Sequence, residues 1–335
     1  MRPLGFIHNI DPVLAEIGTV RLYYYGLMYA LGFLGIHFWL LARRKALGWR
    51  ISEVYDFSIG FILGVLVIGR ALSVLIYQWS YYRERPEELL SYWRGGMASH
   101  GVLFGALLAG MVFCVWRKKD FWRVADEVAI PAAFFLGCGR LGNFINGEIY
   151  VYDTNVWWAV KFPEVDGFRH PVTLYEGLKN FAIIAVLLLA RRRTTPGRGV
   201  LFAHLVLWYG LLRFVTDLFR EYEVHFLGLG RGQWFNLLMA AAGAGLLVWR
   251  LRIEPQSKAD LCAADRGNAS AQAPPVESAT SASPWLLWVR RALLVGLVGF
   301  ALVIRSGWTV GVEKELHDRN IEAPSPAQIS QSTQR

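Results

Sequence analysis

Cysteine and charge are both scarce in this sequence. Three cysteines (Cys114, Cys138 and Cys262) occur in 335 residues, an odd number with no short spacing, which excludes a disulfide framework and a cysteine-rich zinc site. Charged residues make up 18% and hydrophobic residues 54% of the chain, whereas soluble domains average about 25% charged residues. This composition excludes a disordered chain and is unlike that of an ordinary soluble protein.

The signature motifs of common soluble enzymes are also absent. The sequence contains no HExxH metalloprotease motif, no GxSxG nucleophile elbow and no Walker phosphate-binding loop. A GxGxxG string does occur at residues 137–142, but it lies inside an apolar block with no strand before it. Such a context does not predict a dinucleotide site. We therefore expect no metal site and no cofactor.

Long apolar blocks are what the sequence has instead. The hydrocarbon core of a bilayer is about 30 Å thick and is crossed by about 20 apolar helical residues. Seven stretches meet this requirement, and they predict an all-α polytopic integral membrane protein with seven transmembrane helices. The predicted spans are residues 23–42, 55–78, 96–116, 127–146, 172–190, 199–219 and 234–250.

The loops between the spans alternate in positive charge. The loops after the first, third and fifth spans each carry four Lys or Arg residues, within 43–50, 117–123 and 191–198, and the other loops carry two or three. Because cytoplasmic loops are enriched in Lys and Arg, the N-terminus is predicted to face outward. The net charge of +9 follows from this topology, so we expect no nucleic-acid partner.

The seven spans form a predicted core over residues 1–252, and the remaining sequence differs in character. Residues 253–284 are rich in Ala, Ser, Pro and Gln, which predicts a cytoplasmic low-complexity linker. Within 285–308 the apolar run Ala292–Ile304 is thirteen residues long and flanked by arginines. Both an eighth transmembrane span and an interfacial amphipathic helix stay open for this segment. Residues 309–335 predict a disordered polar tail.

A few ionisable residues lie inside the predicted spans. Each costs at least about 2.5–3.5 kcal/mol on insertion scales, so such residues mark candidate functional sites. The fourth span ends on Arg140, Asn143 and Asn146, which share a helical face if the helix continues. A guanidinium beside two carboxamides suits a phosphate and glycerol hydroxyls, and a polar clamp between helices is the alternative. The ionisable set is Arg70, His100, Arg140, Glu176, Arg213 and Asp217.

The third and sixth spans carry further candidates. Tyr209, Arg213 and Asp217 follow one another at four-residue spacing, so they lie on one helical stripe and Arg213 can pair with Asp217. This pattern is typical either of a second cation poised beside a phosphate or of a neutralised buried ion pair. His100 lies among glycines near the outer boundary of the third span. It is either a proton acceptor at neutral pH or a structural histidine.

Ten residues at the end of the fourth span resemble the signature of one family. The run Gly139-Arg-Leu-Gly-Asn-Phe-Ile-Asn-Gly-Glu148 matches GRxGNFxNxE, which is typical of the prolipoprotein diacylglyceryl transferases. Further segments match in the family's order, so the resemblance covers about residues 10–249. These segments are Tyr25–Tyr29, Gly95–Gly101, Arg169–Glu176 and Tyr209–Arg213.

The resemblance implies an activity and its substrates. Members of the family transfer the diacylglyceryl group of phosphatidylglycerol to the lipobox cysteine thiol of a prolipoprotein, forming a thioether and releasing glycerol phosphate. The resemblance also implies a multi-pass protein of the bacterial inner membrane, with seven spans, an outward N-terminus and no cofactor. We therefore expect phosphatidylglycerol, prolipoprotein signal peptides with a lipobox cysteine, and the lipid bilayer as partners of this chain.

The resemblance also implies roles for individual residues. His100 would be the base candidate with Tyr25 nearby, while Arg140 and Arg213 would hold the phosphate and neutralise its charge. The implied head-group site consists of Arg140, Asn143, Asn146, Glu148, Tyr209 and Asp217. Within it, Glu148 and Asp217 are expected to pair with the two arginines.

Four positions, Ser99, Val102, Val151 and Asp217, depart from the family's pattern. Val151 replaces a glycine of the head-group loop, so we expect a restricted backbone or a crowded substrate there. Two other functions stay open at this point. A diverged relative could bind or transfer another anionic lipid, and a lipid transporter could line its path with the same charges, although the sequence has no evident internal repeat.

Overall fold

The computed structural model describes residues 5–148, 151–163, 165–194, 198–220, 227–252 and 284–305. Helices account for most of these residues, and eight of the described helices are long and apolar enough to cross a membrane by length and composition. The helices are α1 (Tyr24–Leu47), α2 (Ile51–Leu72), α3 (Trp79–Tyr82), α4 (Ser99–Arg117), α5 (Phe121–Ile145), α6 (Val172–Arg193), α7 (Val200–Asp217), α8 (Arg231–Arg252) and α9 (Pro284–Ala301). All seven predicted spans fall on long helices, which confirms the all-α polytopic fold.

Four short strands, which the sequence did not predict, lie near the beginning of α1. β1 (Phe6–Ile7) pairs in parallel with β4 (Val160–Lys161), and β2 (Val13–Ile17) forms an antiparallel hairpin with β3 (Val20–Tyr23). Gly18, in the hairpin turn, has a φ of 60°, a left-handed conformation that favours glycine. Strands this short contain too few alternating positions to be recognised in a sequence.

The helices extend beyond the apolar runs that predicted them. α1 continues past the predicted end at 42 and stops at Gly48, whose φ of 65° closes the helix in the left-handed region. α5 begins before the predicted start at 127, because the Asp120 side chain accepts a hydrogen bond from the N–H of Arg123 at 2.7 Å and caps the first turn. Local capping therefore sets these ends, and hydropathy does not.

Buried ion pairs join several helices at one end of the bundle. The Glu127 carboxylate, 2% exposed, lies 2.8 Å from Arg191 and 3.4 Å from Arg43. Asp56, in the first turns of α2, pairs with Arg117 at the end of α4. Arg43, Arg117 and Arg191 all belong to the loops that the charge pattern predicts to be cytoplasmic. We call this end of the bundle the inner end, and the opposite end, where the chain enters α1, the outer end.

Glycines allow close approach between neighbouring helices. Gly64 of α2 and Gly105 of α4 face each other so closely that a Cβ on either would meet the backbone of the other. Gly142 of α5 faces the ring of Tyr25 on α1. The GxGxxG string at 137–142 lies within α5, so it is not a strand–turn–helix phosphate loop.

Arg70, near the end of α2, is buried and shapes the loop that leads to α4. The residue is 4% exposed, and its guanidinium donates hydrogen bonds to the carbonyls of Leu89 at 2.8 Å, Gly95 at 2.5 Å and Gly96 at 3.2 Å. Gly96 has a φ of 89°, and a Cβ there would meet the Arg70 side chain, so the position requires glycine. Arg70 is thus a structural cation of the outer loop.

Replacing Arg70 by methionine should destabilise the protein. The substitution leaves several buried carbonyls without donors, and each such group costs about 1–3 kcal/mol. We expect the free energy of unfolding to fall by at least about 3 kcal/mol, measured by chemical unfolding in detergent. The matched control is Arg83→Met, because the Arg83 side chain is 61% exposed; it should change stability by less than about 0.5 kcal/mol. Equal stability of the two variants would contradict a structural role for Arg70.

α9 is a long apolar helix beyond the seven predicted spans. It packs against α1 and α2, and Leu294 and Ala301 are its buried residues. Its length and composition suffice to cross a membrane, which favours the eighth span over the interfacial helix. Residues 253–283 and 306–335 lie outside the described residues, so the predicted linker falls almost wholly outside them and the predicted tail wholly. The division into these segments stays a prediction.

Candidate active site

Glu176 lies at the centre of a buried group of charges at the outer end. It belongs to the first turns of α6, and its side chain is 0% exposed. Its Oε2 lies 2.8 Å from Nε of Arg140 on α5. Its Oε1 contacts Arg213 of α7 and, at 2.8 Å, Arg220 just beyond α7. One carboxylate therefore joins cations from three segments of the chain.

Asp217, the last residue of α7, supplies a second buried carboxylate. Its side chain is 1% exposed, and its Oδ1 lies 3.3 Å from Nη2 of Arg213 and 3.6 Å from Nε of Arg220. Asn236 of α8 donates a hydrogen bond to Oδ2 of Asp217 at 2.5 Å. The predicted contact between Arg213 and Asp217 is therefore present, and α8 is tied to it.

Lys179 of α6 is a further buried basic residue, and the predicted site residues do not include it. Its Nζ donates a hydrogen bond to Oδ1 of Asn180 at 3.1 Å and lies 3.8 Å from the ring centroid of Tyr209. Tyr209 in turn lies beside the Arg140 guanidinium. Lys179 follows Glu176 by three positions, about one helical turn, and this spacing is the signal that could have identified it.

These side chains together form what we call the outer charge cluster: Arg140, Glu176, Lys179, Arg213, Asp217 and Arg220. Within the cluster, three arginines face two carboxylates, so one excess positive charge is present even when Lys179 is left out of the count. Buried charges in proteins are normally compensated, so this excess favours an anionic ligand. In the same described residues, no group of three or more His, Cys, Asp or Glu side chains could hold a metal ion.

Glu148 connects the two asparagines of the predicted head-group site. Its Oε2 accepts a hydrogen bond from Nδ2 of Asn143 at 3.0 Å, and its Oε1 accepts one from Nδ2 of Asn146 at 3.3 Å. Gly147, with a φ of 68°, reverses the chain after α5 and brings Glu148 back toward Asn143. The buried Oδ1 of Asn146 has no hydrogen-bond partner among the described residues, so it can accept one from a ligand.

The expectation that Glu148 pairs with an arginine stays a prediction. The described hydrogen bonds of Glu148 go to the two asparagines, whereas the carboxylate at Arg140 is Glu176. Nη1 of Arg140 lies 3.5 Å from Oδ1 of Asn143, so the asparagines adjoin the outer charge cluster. Glu176 reaches Arg140 from another helix, and spacing within one helix cannot reveal such a partner.

Tyr25 and His100 contact different helices of the bundle. Tyr25, in the first turn of α1, packs on Gly142 of α5, and its hydroxyl is 3.4 Å from that of Tyr29. His100, at the beginning of α4, is exposed, and its ring centroid is 5.9 Å from that of Phe235. Phe235 is followed on α8 by Asn236, which binds Asp217. Among the described contacts, His100 is therefore connected to the cluster only through α8.

Val151 lies in the loop between α5 and α6, in the stretch from 151 to 163 that the structure describes. The side chain is buried, at 1% exposure, and the carbonyl accepts a hydrogen bond from Nη1 of Arg169 at 2.9 Å. The expectation of a restricted backbone or a crowded substrate at Val151 stays a prediction.

The chain is similar to known proteins over most of its length. The family profile described as prolipoprotein diacylglyceryl transferase matches residues 12–249. Proteins named phosphatidylglycerol–prolipoprotein diacylglyceryl transferase from Geobacter sulfurreducens and Aromatoleum aromaticum are 37% and 39% identical to the chain, covering 74% and 72% of it and 98% and 95% of themselves. One from Mannheimia succiniciproducens is 39% identical over 68% of the chain and 86% of its own length. The chain therefore belongs to the prolipoprotein diacylglyceryl transferase family.

Proposed function

We propose that this protein is a phosphatidylglycerol–prolipoprotein diacylglyceryl transferase of the bacterial inner membrane. It transfers the diacylglyceryl group of phosphatidylglycerol to the lipobox cysteine of a prolipoprotein. Family membership supports the activity. The observation that carries the assignment to this site is the excess of positive charge in the outer charge cluster, because the reaction binds a phosphodiester and releases a phosphomonoester of higher negative charge.

The reaction needs a thiolate and a stabilised leaving group. A free cysteine thiol has a pKa of about 8.5, so a base must take its proton. The sulfur then attacks the glycerol carbon that carries the phosphate, and the carbon–oxygen bond breaks. The electron pair stays on the phosphate oxygen, so the products are a thioether and glycerol phosphate. Cations placed at that oxygen lower the barrier because they neutralise charge as it develops.

Arg140 and Arg213 are the cations that we assign to the phosphate. Each guanidinium has five N–H donors in a planar fork, and the bonds to Glu176 and Asp217 use only part of that set. The remaining donors suit the oxygens of a phosphate. Glu176 fixes both guanidinium groups in place before the lipid binds, so it is a positioning residue in this mechanism.

The asparagines and Glu148 suit the terminal glycerol of the head group. A glycerol hydroxyl can donate to the buried Oδ1 of Asn146, which has no partner among the described residues. The carboxylate of Glu148 and the amide of Asn143 adjoin this atom and offer further hydrogen bonds. Tyr209 and Asp217 of α7 are the remaining residues that we assign to the head-group site.

His100 is the base that we assign to the thiol. The imidazole is exposed beside Phe235, where a peptide cysteine can approach it from outside the cluster. Tyr25, held against α5, is the second candidate for contact with the reacting groups.

A lipidation assay tests the proposed function. Purified protein in detergent, given phosphatidylglycerol and a synthetic lipobox peptide, should release glycerol phosphate and form an equal amount of thioether-linked diacylglyceryl peptide. The same peptide with its cysteine replaced by serine should give neither product. Consumption of another anionic lipid instead would favour a diverged relative, and lipid movement without glycerol phosphate release would favour a transporter.

A further inference from the structure

α9 lies outside the region that the family profile matches, yet it packs along the whole length of the core. At the inner end, Nε of Arg290 lies 2.8 Å from Oδ1 of Asp56, which also pairs with Arg117. At the outer end, Ala301 and Ile304 are 0% exposed. The matched region ends at residue 249, so these contacts are additions to the family's core.

The outer end of α9 contacts the first turn of α1. The N–H of Tyr23 donates a hydrogen bond to the carbonyl of Leu302 at 2.9 Å. Gly26 lies so close to the carbonyls of Ala301 and Leu302 that a Cβ at this position would overlap them. The first N–H groups of a helix have no partner within that helix, so the first turn frays unless other groups hold it. α9 supplies such a group for α1.

The same end of α9 contacts the loop that leads to α4. The ring centroids of Phe300 and Tyr92 are 5.2 Å apart, and the N–H of Arg305 points to the carbonyl of Tyr92 at 3.4 Å. Burial raises the pKa of Tyr92, so its hydroxyl stays protonated and donates to the carbonyl of Leu66 at 3.2 Å. α9 therefore braces two neighbouring segments of the outer end.

Tyr25 stands between the residues that α9 holds. Tyr23 and Gly26 contact α9, while the Tyr25 ring packs on Gly142 of α5. The first turn of α1 is thus fixed from two sides, and the position of the Tyr25 hydroxyl depends on both. Misplacement of a reacting group by about 1 Å can lower a rate by about 100-fold.

We propose that α9 is an eighth membrane span that acts as a positioning element for Tyr25. The span places residue 305 at the outer end, and its contacts with Tyr23 and Gly26 hold Tyr25 against α5. This inference rests on the proposed function for its kinetic part, because Tyr25 is a candidate for contact with the reacting groups. The transmembrane part is independent of the reaction.

The kinetic test uses two alanines of α9. Ala301 is 0% exposed, so Ala301→Leu should push the end of α9 away from α1, whereas Ala292 is exposed and Ala292→Leu adds the same atoms on the outer face of the helix. We expect kcat to fall about tenfold or more in Ala301→Leu, with the KM for phosphatidylglycerol changed by less than about twofold. Ala292→Leu should match the unmodified protein. An unchanged kcat in Ala301→Leu would overturn the proposal.

A double-variant cycle separates positioning from a general loss of structure. If α9 acts through Tyr25, then Ala301→Leu should add little to the defect of Tyr25→Phe, because coupled residues are not additive. If the kcat defects of Ala301→Leu and Tyr25→Phe multiply in the double variant, α9 has only a structural role and the proposal fails. Should Ala301→Leu be lost from the membrane, the same cycle is measured with Gly26→Ala, because the added methyl group would overlap the carbonyls of Ala301 and Leu302.

The transmembrane part is tested by labelling of the intact chain. Arg305 is exposed, so Arg305→Cys, in a background with Cys262→Ser, should react with a membrane-impermeant maleimide added outside spheroplasts. Labelling only after the membrane is permeabilised would overturn the eighth span. This readout needs no enzymatic activity, so a protein that fails to release glycerol phosphate would refute the proposed function and still report the position of α9.

Discussion

Replacing Arg140 by alanine should abolish turnover while the protein stays folded in the membrane. Arg140 is the cation that joins the outer charge cluster to the head-group asparagines, so its loss removes charge at the leaving phosphate. Loss of one group that stabilises transition-state charge lowers kcat by about 100- to 1,000-fold. The fold should survive because Glu176 keeps Arg213 and Arg220 as partners. The measurement is glycerol phosphate release by monodisperse purified protein.

Arg43→Ala is the matched control for this prediction. Arg43 is one of two described cations on the buried Glu127, at the inner end, and Arg191 remains when Arg43 is removed. Each variant therefore removes one arginine from a buried carboxylate that has other arginine partners. That carboxylate is Glu176 at the outer end for Arg140→Ala and Glu127 at the inner end for Arg43→Ala. Arg43→Ala should keep turnover within about twofold of the original. Normal turnover in Arg140→Ala would show that the phosphate binds elsewhere.

Replacing Glu176 by glutamine should have the largest effect on stability. Its carboxylate is fully buried and contacts Arg140, Arg213 and Arg220, so the substitution leaves these cations with Asp217 as the remaining carboxylate of the cluster. Removal of one partner from a buried ion pair costs about 3–5 kcal/mol, because it leaves an uncompensated charge. We expect a loss of this size in the free energy of unfolding, measured by chemical unfolding in detergent.

Glu16→Gln serves as the control for Glu176→Gln. Glu16 also pairs with an arginine, Arg21, at 2.8 Å, but its side chain is 57% exposed. Exposed pairs of this kind contribute at most about 1 kcal/mol, so Glu16→Gln should change stability little. Similar stability of the two variants would mean that Glu176 does not hold the cluster together, and its role as a positioning residue would then be untenable.

The seven long apolar runs were recognisable because bilayer thickness fixes the length of a membrane-crossing helix. Their ends were not, since Gly48 and Asp120 set helix boundaries through backbone geometry and capping. Hydropathy alone also left α9 open as an eighth span. Arg290 lies just before its apolar run and counts against a span on hydropathy scales, but in the folded protein it is paired with Asp56.

The site was predictable where the signal lay within one helix. The spacing of Arg140 and Asn143, and of Arg213 and Asp217, placed each pair on one face, and both pairs are in contact. Arg220 lies just past the apolar run and was counted as a loop charge, although it reaches back to Glu176. Contacts between different helices depend on how the bundle packs, and local spacing carries no information about that.

In the proposed mechanism, the shared carboxylate of Glu176 has an energetic consequence for catalysis. The guanidinium groups around it are desolvated and oriented when the protein folds, so they would not need to reorganise as charge builds on the leaving oxygen. In water the same charge would be met by solvent dipoles that must first turn toward it. The proposed site would therefore lower the reorganisation energy of the step, and preorganisation of this kind is usually the largest single contribution to enzymatic rate.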